Sequence, residues 1–277
     1  MTDRYAVLGN PIDFSKSPFI HMSFAQATGQ DIEYTKLLGP LGQFDATVDQ
    51  FRRDGGLGLN VTAPFKLDAH RYASKRSPAA TLAGAANALK FDGAQVLAEN
   101  FDGAGLVRDV VHNLGHALRD RRVLLLGAGG AARGALLPFL AERPKQLVIA
   151  NRTESKAQEL AATAQAHTSD ATQVRAIATQ ALNAMAFDVV FNATSASLRG
   201  ELPVVPATVF APDALAYELA YGKGLTPFLR LARNAGVRHL ADGVGMLAEQ
   251  AAEAFLWWRG VRPHTQGVIR QLMVPLV

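Results

Sequence analysis

Three constellations in this 277-residue chain carry residue types suited to chemistry. The first is rich in glycine. Gly127, Gly129 and Ala132 fill the G-x-G-x-x-G/A positions directly after the apolar run Val123 to Leu126, and helical apolar spacing follows from Leu136. At such a strand-to-helix turn the first glycine permits the tight bend and the second lets backbone N–H groups approach a pyrophosphate. The small third residue allows close helix–strand packing. The helix N-terminus adds unpaired donors and a partial positive charge, so the implied chemistry is diphosphate binding. A second strand, Gln146 to Ala150, leads into Asn151-Arg152-Thr153, with Asn151 placed 24 residues after Gly127. A carboxylate roughly 20 residues on would accept from the ribose 2′-OH of NAD, whereas an arginine accommodates the 2′-phosphate of NADP. Arg152 stands there and no carboxylate does, which points to NADP. Thr153 is placed both to cap a helix from Glu154 and to donate to a phosphate.

The second constellation is Lys66 with Asp102. In Asn60-Val61-Thr62-Ala63-Pro64-Phe65-Lys66 a strand ends at Asn60 to Thr62, and Pro64 suits the first position of a helix. Lys66 then lies in the first turn, facing the positive end of the helix dipole. That position disfavours the ammonium and eases proton exchange. Asp102 precedes a helix marked by Leu106, Val110 and Leu114, where it serves either as an N-cap or as a carboxylate paired with Lys66. A lysine–aspartate pair can hold a substrate hydroxyl while hydride leaves its carbon. The third constellation is one residue, Gln250, in the apolar stripe of Met246, Leu247, Ala251, Ala254, Phe255 and Trp258. Buried without a partner it would cost about 1–3 kcal/mol, so it pairs either with a backbone carbonyl or with a ligand hydroxyl.

These residues need a scaffold, and the periodicities describe one. Strands at Tyr5 to Leu8, Ile32 to Leu38 and Leu57 to Val61 alternate with helices that begin at Ser17-Pro18 and span Phe44 to Arg53, a βαβ pattern. Ser17 reads as N-cap there. A hairpin turns at Asp92-Gly93. Further strands at Asp188 to Phe191, Ala214 to Leu219 and Val237 to Leu240, with helices at Glu154 to Ala166 and Pro227 to Asn234, extend a parallel sheet by right-handed crossovers. The strand ending at Asn192-Ala193-Thr194 reaches the cofactor side of that sheet.

Composition narrows the classes. With 49% hydrophobic and 19% charged residues the chain is that of a soluble globular protein of two domains. No apolar run reaches the ~18 residues of a membrane span and the N-terminus MTDRY has no signal pattern, so the expectation is a cytoplasmic protein without membrane association. Zero cysteines exclude disulfides and thiolate chemistry. His112 and His116 have helical spacing but no acidic third ligand, so no metal is expected. The net charge of +4 suits anionic small molecules, and the basic run Arg119-Asp120-Arg121-Arg122 lacks the interleaved aromatics of a nucleic-acid surface.

Taken in order, GNPIDFSKSP (9 to 18), NVTAPFK (60 to 66), GAANAL (84 to 89), NFDGAG (100 to 105), GAGGAARG (127 to 134), NRT (151 to 153), NATSAS (192 to 197) and GVGMLAEQAA (243 to 252) resemble the successive motifs of shikimate dehydrogenases over nearly the whole chain. The resemblance implies NADPH-linked reduction of 3-dehydroshikimate to shikimate, on the route to chorismate and the aromatic amino acids. It implies an N-terminal α/β substrate domain (1–102), a Rossmann-like doubly wound NADP-binding domain (103–239) and C-terminal helices (240–277) that return to the substrate domain.

Residue by residue, the likeness makes Lys66 and Asp102 the catalytic pair. It gives the substrate carboxylate to the hydroxyls of Ser15 and Ser17, with Tyr221 nearby, and the ring hydroxyls to Asn60, Thr62, Asn87 and Gln250. For the cofactor it points to Gly127, Ala128, Gly129, Gly130, Ala131, Asn151, Arg152, Thr153, Lys156, Thr194, Leu219, Gly243 and Met246. The chain departs from the family pattern in four places. Ala88 and Phe101 stand where threonines are usual, Ser77 or Pro78 where an acidic residue is usual, and Glu218 where an aspartate is usual. Two alternatives remain: an NAD-favouring quinate/shikimate dehydrogenase, against which Arg152, Ser15 and Ser17 speak, and an NADP-binding sensor without turnover. The partner is a small molecule, and the protein is expected as a monomer or homodimer.

Overall fold

The structure is a computed structural model that describes residues 2–168, 172–183 and 185–277. It divides into two compact units, Met1–Gly105 with Ala248–Val268, and Leu106–Leu247 with Ile269–Val277.

The first unit is built on a six-stranded mixed sheet. Its strands are β1 (Asp3–Gly9), β2 (Ile32–Leu38), β3 (Gly56–Val61), β4 (Lys75–Arg76), β5 (Ala88–Asp92) and β6 (Gln95–Glu99), in the order β2-β1-β3-β5-β6-β4. β1 pairs in parallel with both β2 and β3, and its run Tyr5 to Leu8 is buried, as a strand covered on both faces must be. β5 then runs antiparallel to β3 and β6, with the Asp92-Gly93 turn between β5 and β6 as expected. Helices α1 (Ser17–Thr28), α2 (Phe44–Arg53), α3 (Lys66–Tyr72) and α4 (Pro78–Ala83) connect the strands. In α2, Phe44, Val48 and Phe51 recur at helical spacing and enter a core with Leu8, Leu59, Val61 and Phe65.

Helix α5 (Asp102–Arg108) runs into a π-helical turn at Asp109–Asn113, after which the second unit forms a wholly parallel sheet. Its strands are β7 (Arg122–Leu126), β8 (Gln146–Asn151), β9 (Gln173–Ala178), β10 (Phe187–Asn192), β11 (Phe210–Glu218) and β12 (His239–Asp242), in the order β12-β11-β10-β7-β8-β9. Numbered within the unit this is 3-2-1-4-5-6, the doubly wound dinucleotide-binding order, whose direction of winding reverses between β7 and β10. Helices α6 (Gly130–Ala141), α7 (Glu154–His167) and α8 (Pro227–Asn234) accompany this sheet. Leu124, Leu126, Val148, Val190, Phe228 and Leu229 form part of one of its cores. Helix α9 (Val244–Arg259) contributes Ala248 onward to the first unit, and α10 (Gln266–Leu272) follows.

Local signals misplaced one cap and assigned a capping bond that another does not make. Ser17 is the first residue of α1, the cap position is Lys16, and no side chain caps the helix; the Ser15 hydroxyl instead accepts from the Ser17 N–H at 3.3 Å. Thr153 does sit at the N-cap of α7 but its hydroxyl makes no capping bond. By contrast Thr226 and Ser77 cap α8 and α4, accepting from Leu229 N at 3.3 Å and Ala80 N at 3.0 Å. Helix α6 begins at Gly130, six residues before its apolar spacing becomes readable, and β9, with Val174 as its one buried residue, forms a strand where the sequence predicts none.

Candidate functional site

In the first unit the polar side chains converge on Asp102. β3 ends at Val61, a turn follows, and α3 starts at Lys66, so the lysine lies on the first turn beyond a strand end. Its Nζ donates to Asp102 Oδ2 at 2.5 Å, with the lysine side chain 35% and the aspartate 15% exposed. Asp102 heads α5, where a carboxylate also complements the helix dipole. Its Oδ1 accepts from Asn87 Nδ2 at 2.8 Å, and its backbone N–H donates to Asn100 Oδ1 at 3.1 Å. Of the two readings of Asp102, the carboxylate is directed to Lys66 and Asn87, and Asn100 satisfies the helix-start N–H.

Asn87 is the hinge of this network. It is buried, its Oδ1 accepts from Phe101 N at 2.9 Å, and its Nδ2 also donates to Gln250 Oε1 at 3.2 Å. The polar residue in the apolar stripe of α9 therefore finds a side-chain amide as partner. The backbone of Asn87 continues the chain of contacts: its carbonyl accepts from Val61 N at 2.8 Å and from Asn60 Nδ2 at 3.3 Å. Asn60 Oδ1 accepts from Tyr34 OH at 2.6 Å, and burial pushes the Tyr34 phenol well above its usual range, which keeps it a donor. Behind Tyr34 lies His21, fully buried and stacked on the phenol ring at 4.2 Å with Trp258 at 5.5 Å. Desolvation pushes this imidazole down to about 3, with Asn60 acting in the opposite sense. Lys66, Asp102, Asn87, Gln250 and Asn60 thus form one connected set. Ser17 is nearly buried and Ser15 partly so; Thr62 joins the sheet through its N–H, which donates to Leu8 O at 2.9 Å. Ser77, at one of the departures from the family pattern, donates to Glu99, whose Oε1 accepts from Asn100 N at 2.8 Å. Tyr221 belongs to the second unit, 42% exposed on the loop after β11.

In the second unit, the winding reversal of the sheet opens a groove of about 570 Å³. Gly127, Ala128, Gly129, Gly130, Asn151, Arg152, Thr153, Lys156 and Thr194 all line it. The glycines there have separable reasons. Gly127 has φ +106°, and a Cβ on it would stand 3.0 Å from the Ala193 carbonyl oxygen, so close packing of β7 against the end of β10 demands glycine. At Gly129 and Gly130 a Cβ would meet nothing within 4 Å. Packing does not require glycine there; its effect is to leave the first N–H groups of α6 bare toward the groove. Bare donors beside Arg152 and Lys156 fit a dinucleotide carrying both a diphosphate and a further phosphate. Ala131 is the second residue of α6 and lies outside the groove lining. Leu219, Gly243 and Met246 sit where β11 and β12 end, also outside it, and a Cβ on Gly243 would strike the Leu219 carbonyl oxygen.

Two side chains of this groove escaped sequence reasoning. Arg199 donates to Ser195 Oγ at 2.9 Å and to Glu201 Oε2 at 2.7 Å, and all three line the groove. The usable signal was their place just beyond the strand end Asn192-Ala193-Thr194. Glu218, the residue in place of an aspartate, is fully buried under the same sheet edge. It accepts from Asn192 Nδ2 at 2.8 Å, Thr226 Oγ1 at 3.2 Å, Ala220 N at 3.2 Å and the Ser197 hydroxyl. Burial raises its carboxyl above the usual range, those donors acting the other way. Tyr217 is structural: its OH donates to Asp109 Oδ2 at 2.7 Å and accepts from Met246 N at 3.3 Å.

Among the described residues no helix is long and apolar enough to cross a membrane. The family model for the shikimate dehydrogenase substrate binding domain matches residues 7–89, and that for shikimate / quinate 5-dehydrogenase matches residues 109–200. Over 272 residues the chain is 54% identical to a shikimate dehydrogenase (NADP(+)) of Nitrosospira multiformis, covering 98% of each. A crystal structure of an Ael1 enzyme from Pseudomonas putida superposes with a TM-score of 0.95 at 59% identity over 100% of both chains. That of the shikimate 5-dehydrogenase of Thermus thermophilus, in complex with NADP(H) and shikimate, does so with 0.84 at 28% identity, covering 97% of this chain and 98% of that one.

Proposed function

The chain belongs to the shikimate dehydrogenase family, and we propose that it catalyses the reversible, NADPH-dependent reduction of 3-dehydroshikimate to shikimate, a step toward chorismate and the aromatic amino acids. The observation that carries this reading is the Lys66–Asp102 pair, joined at 2.5 Å and tied through Asn87 to Gln250. A ketone reduced by hydride needs a proton on its oxygen as the charge develops, and a positioned acid supplies about 10²- to 10⁴-fold of rate.

Lys66 Nζ delivers that proton, and Asp102 Oδ2 fixes the direction of the ammonium while Asn87 holds the other carboxylate oxygen. Asn60, Thr62, Asn87 and Gln250 orient the ring hydroxyls, and the hydroxyls of Ser15 and Ser17, with Tyr221, take the substrate carboxylate. NADPH, when bound, supplies the hydride. Gly127 through Ala131 receive its diphosphate on backbone N–H groups, and Asn151, Arg152, Thr153 and Lys156 hold the adenosine end. Thr194, Leu219, Gly243 and Met246 complete the cofactor contacts. In this assignment the unit containing Met1–Gly105 binds substrate and that containing Leu106–Leu247 binds cofactor. The enzyme acts in the cytoplasm as a monomer or homodimer, in keeping with a small water-soluble acid as substrate.

The test is the fall in NADPH absorbance on adding 3-dehydroshikimate to purified protein and to Lys66→Ala. The wild type is expected to turn over and the variant to lose most of its rate. A wild type that never consumes NADPH overturns the function, and a fully active Lys66→Ala overturns the role given to the lysine.

A further inference from the structure

We propose that Arg199 is a second guanidinium for the 2′-phosphate of the cofactor and that Glu201 is the carboxylate this phosphate displaces, an arrangement that sharpens the preference for NADP over NAD. The inference rests on the reading of the groove as an NADP site.

Arg152 and Lys156 lie on or just beyond the turn after β8; sequence spacing assigns the first to the phosphate, and the family resemblance adds the second to the cofactor contacts. Arg199 comes from another place in the chain, the 3₁₀ turn Ser197–Arg199 after β10, yet it lines the same groove. Its guanidinium is held from two sides, by the Ser195 hydroxyl at 2.9 Å and by Glu201 Oε2 at 2.7 Å. The side chains of Arg199 and Glu201 are 54% and 57% exposed, so this ion pair adds little stability. A weak pair that keeps a fork-shaped cation extended beside a phosphate groove is suited to exchange, because a phosphate offers the same bidentate acceptor geometry with more charge. Glu201 also feels the field of Arg152, which together with Arg199 holds its carboxyl below the usual range. The Glu201 carboxylate is thus an anion bound to Arg199 on the wall of the groove, the place a phosphate on the ribose 2′ oxygen would contest. NAD brings no charge to compete for that place, whereas NADP brings a dianion.

The readout is binding of 2′,5′-ADP against 5′-AMP, which lacks only the 2′-phosphate, by titration calorimetry, on the whole chain without catalysis. Replacing Arg199 with alanine is expected to reduce the preference for 2′,5′-ADP by about tenfold, roughly one charge-assisted hydrogen bond at a half-exposed position. R199K, which keeps the charge and loses the fork, gives a smaller loss. E201Q removes the competing carboxylate, so its preference rises by several-fold, about what loss of one exposed like-charge neighbour allows. An unaltered preference in R199A, or a preference in E201Q that falls, overturns the inference while leaving the NADP reading intact. A wild type that binds both nucleotides equally overturns the NADP reading itself.

Discussion

The two sites solve different problems with different materials. Around Asp102 recognition is built from side chains fastened to one another: Lys66 and Asn87 bond the carboxylate directly, Gln250 joins through Asn87, and Asn87 and Gln250 are buried. In the groove of the parallel sheet the work falls to backbone N–H groups bared by glycine and to half-exposed cations that make few mutual contacts. Proton transfer to a ketone tolerates little error in distance and angle, so the first site is ordered in advance through its own hydrogen bonds. A dinucleotide brings its own charge and length, so the second site needs donors aimed into open space and little else.

The largest expected effect breaks the first site without unfolding it. Lys66→Ala should lower kcat with 3-dehydroshikimate by roughly 10²- to 10⁴-fold, the contribution of a positioned general acid, while thermal stability moves little because the pair is partly exposed. Asn87→Leu is sharper. It keeps Lys66 and Asp102 but removes the donor that orients Asp102 Oδ1 and the partner of Gln250 Oε1. It should lower kcat as well as the unfolding midpoint, with about 1–3 kcal/mol lost for buried partners left short of a bond. Equal loss of stability in both variants would mean that the lysine is structural.

In the groove the corresponding break is Gly127→Ala. The added methyl meets the Ala193 carbonyl oxygen at 3.0 Å, and φ +106° is a conformation that side chains strain against. The expected cost is about 1–3 kcal/mol in chemical denaturation, with weaker NADPH binding because β7 can no longer approach the end of β10. Gly129→Ala should behave differently. Its methyl has open space, so stability is expected to hold while cofactor binding falls.

Acid sharpens the contrast further. His21 is buried as a neutral ring with its affinity for a proton pushed down to about 3, whereas in the unfolded chain it protonates near the ordinary value of about 6.5. Protons therefore favour the unfolded state, and the first unit loses on the order of 3 kcal/mol as pH falls from 7 toward 4. Glu218 of the second unit titrates in the opposite sense. Its folded value is raised by burial, so it holds a proton more readily when folded, and its contribution is present at low pH and lost as pH rises through that raised value. His21→Phe should flatten the acid dependence of unfolding, followed by circular dichroism between pH 4 and 7. A variant as acid-sensitive as the wild type would remove His21 from the account.

What could be read from sequence follows from how local each signal is. Helix α2 and helix α8 carry their apolar rows, and α8 also its Thr226-Pro227 start, within a single stretch, and both end where the spacing says. Five strands of the parallel sheet, β7, β8, β10, β11 and β12, were legible for the same reason, as buried apolar runs, and β9 was not. The Lys66–Asp102 pair spans 36 positions, and Asn87 to Gln250 spans 163. Nothing local encodes such pairings: residue type offered the Lys66–Asp102 pair only beside the alternative of an N-cap, and the partner expected for Gln250 was a backbone carbonyl or a ligand hydroxyl, not the Asn87 amide. Arg199 and Glu201 lay beyond both kinds of signal. They stand on a short turn whose course is set by Glu218 gathering Asn192, Ser197 and Thr226 beneath it, a tertiary arrangement without a period in the sequence.

The smallest predicted effect concerns the two threonines that sequence would treat alike. Both Thr153 and Thr226 precede a helix, but the Thr226 hydroxyl accepts from Leu229 N and donates to Glu218 in a buried setting, whereas that of Thr153 makes no capping bond. Thr226→Ala should therefore cost about 1–2 kcal/mol, the loss of a cap, with a further loss because Glu218 forfeits a donor. Thr153→Ala should leave the unfolding midpoint within about 0.5 kcal/mol of wild type, as a surface substitution away from such bonds does. Its effect should appear only in NADPH affinity, since Thr153 lines the groove. If denaturation instead shows equal losses for the two, then α7 is capped by Thr153 in solution, and a hydroxyl engaged there has less freedom to serve a phosphate.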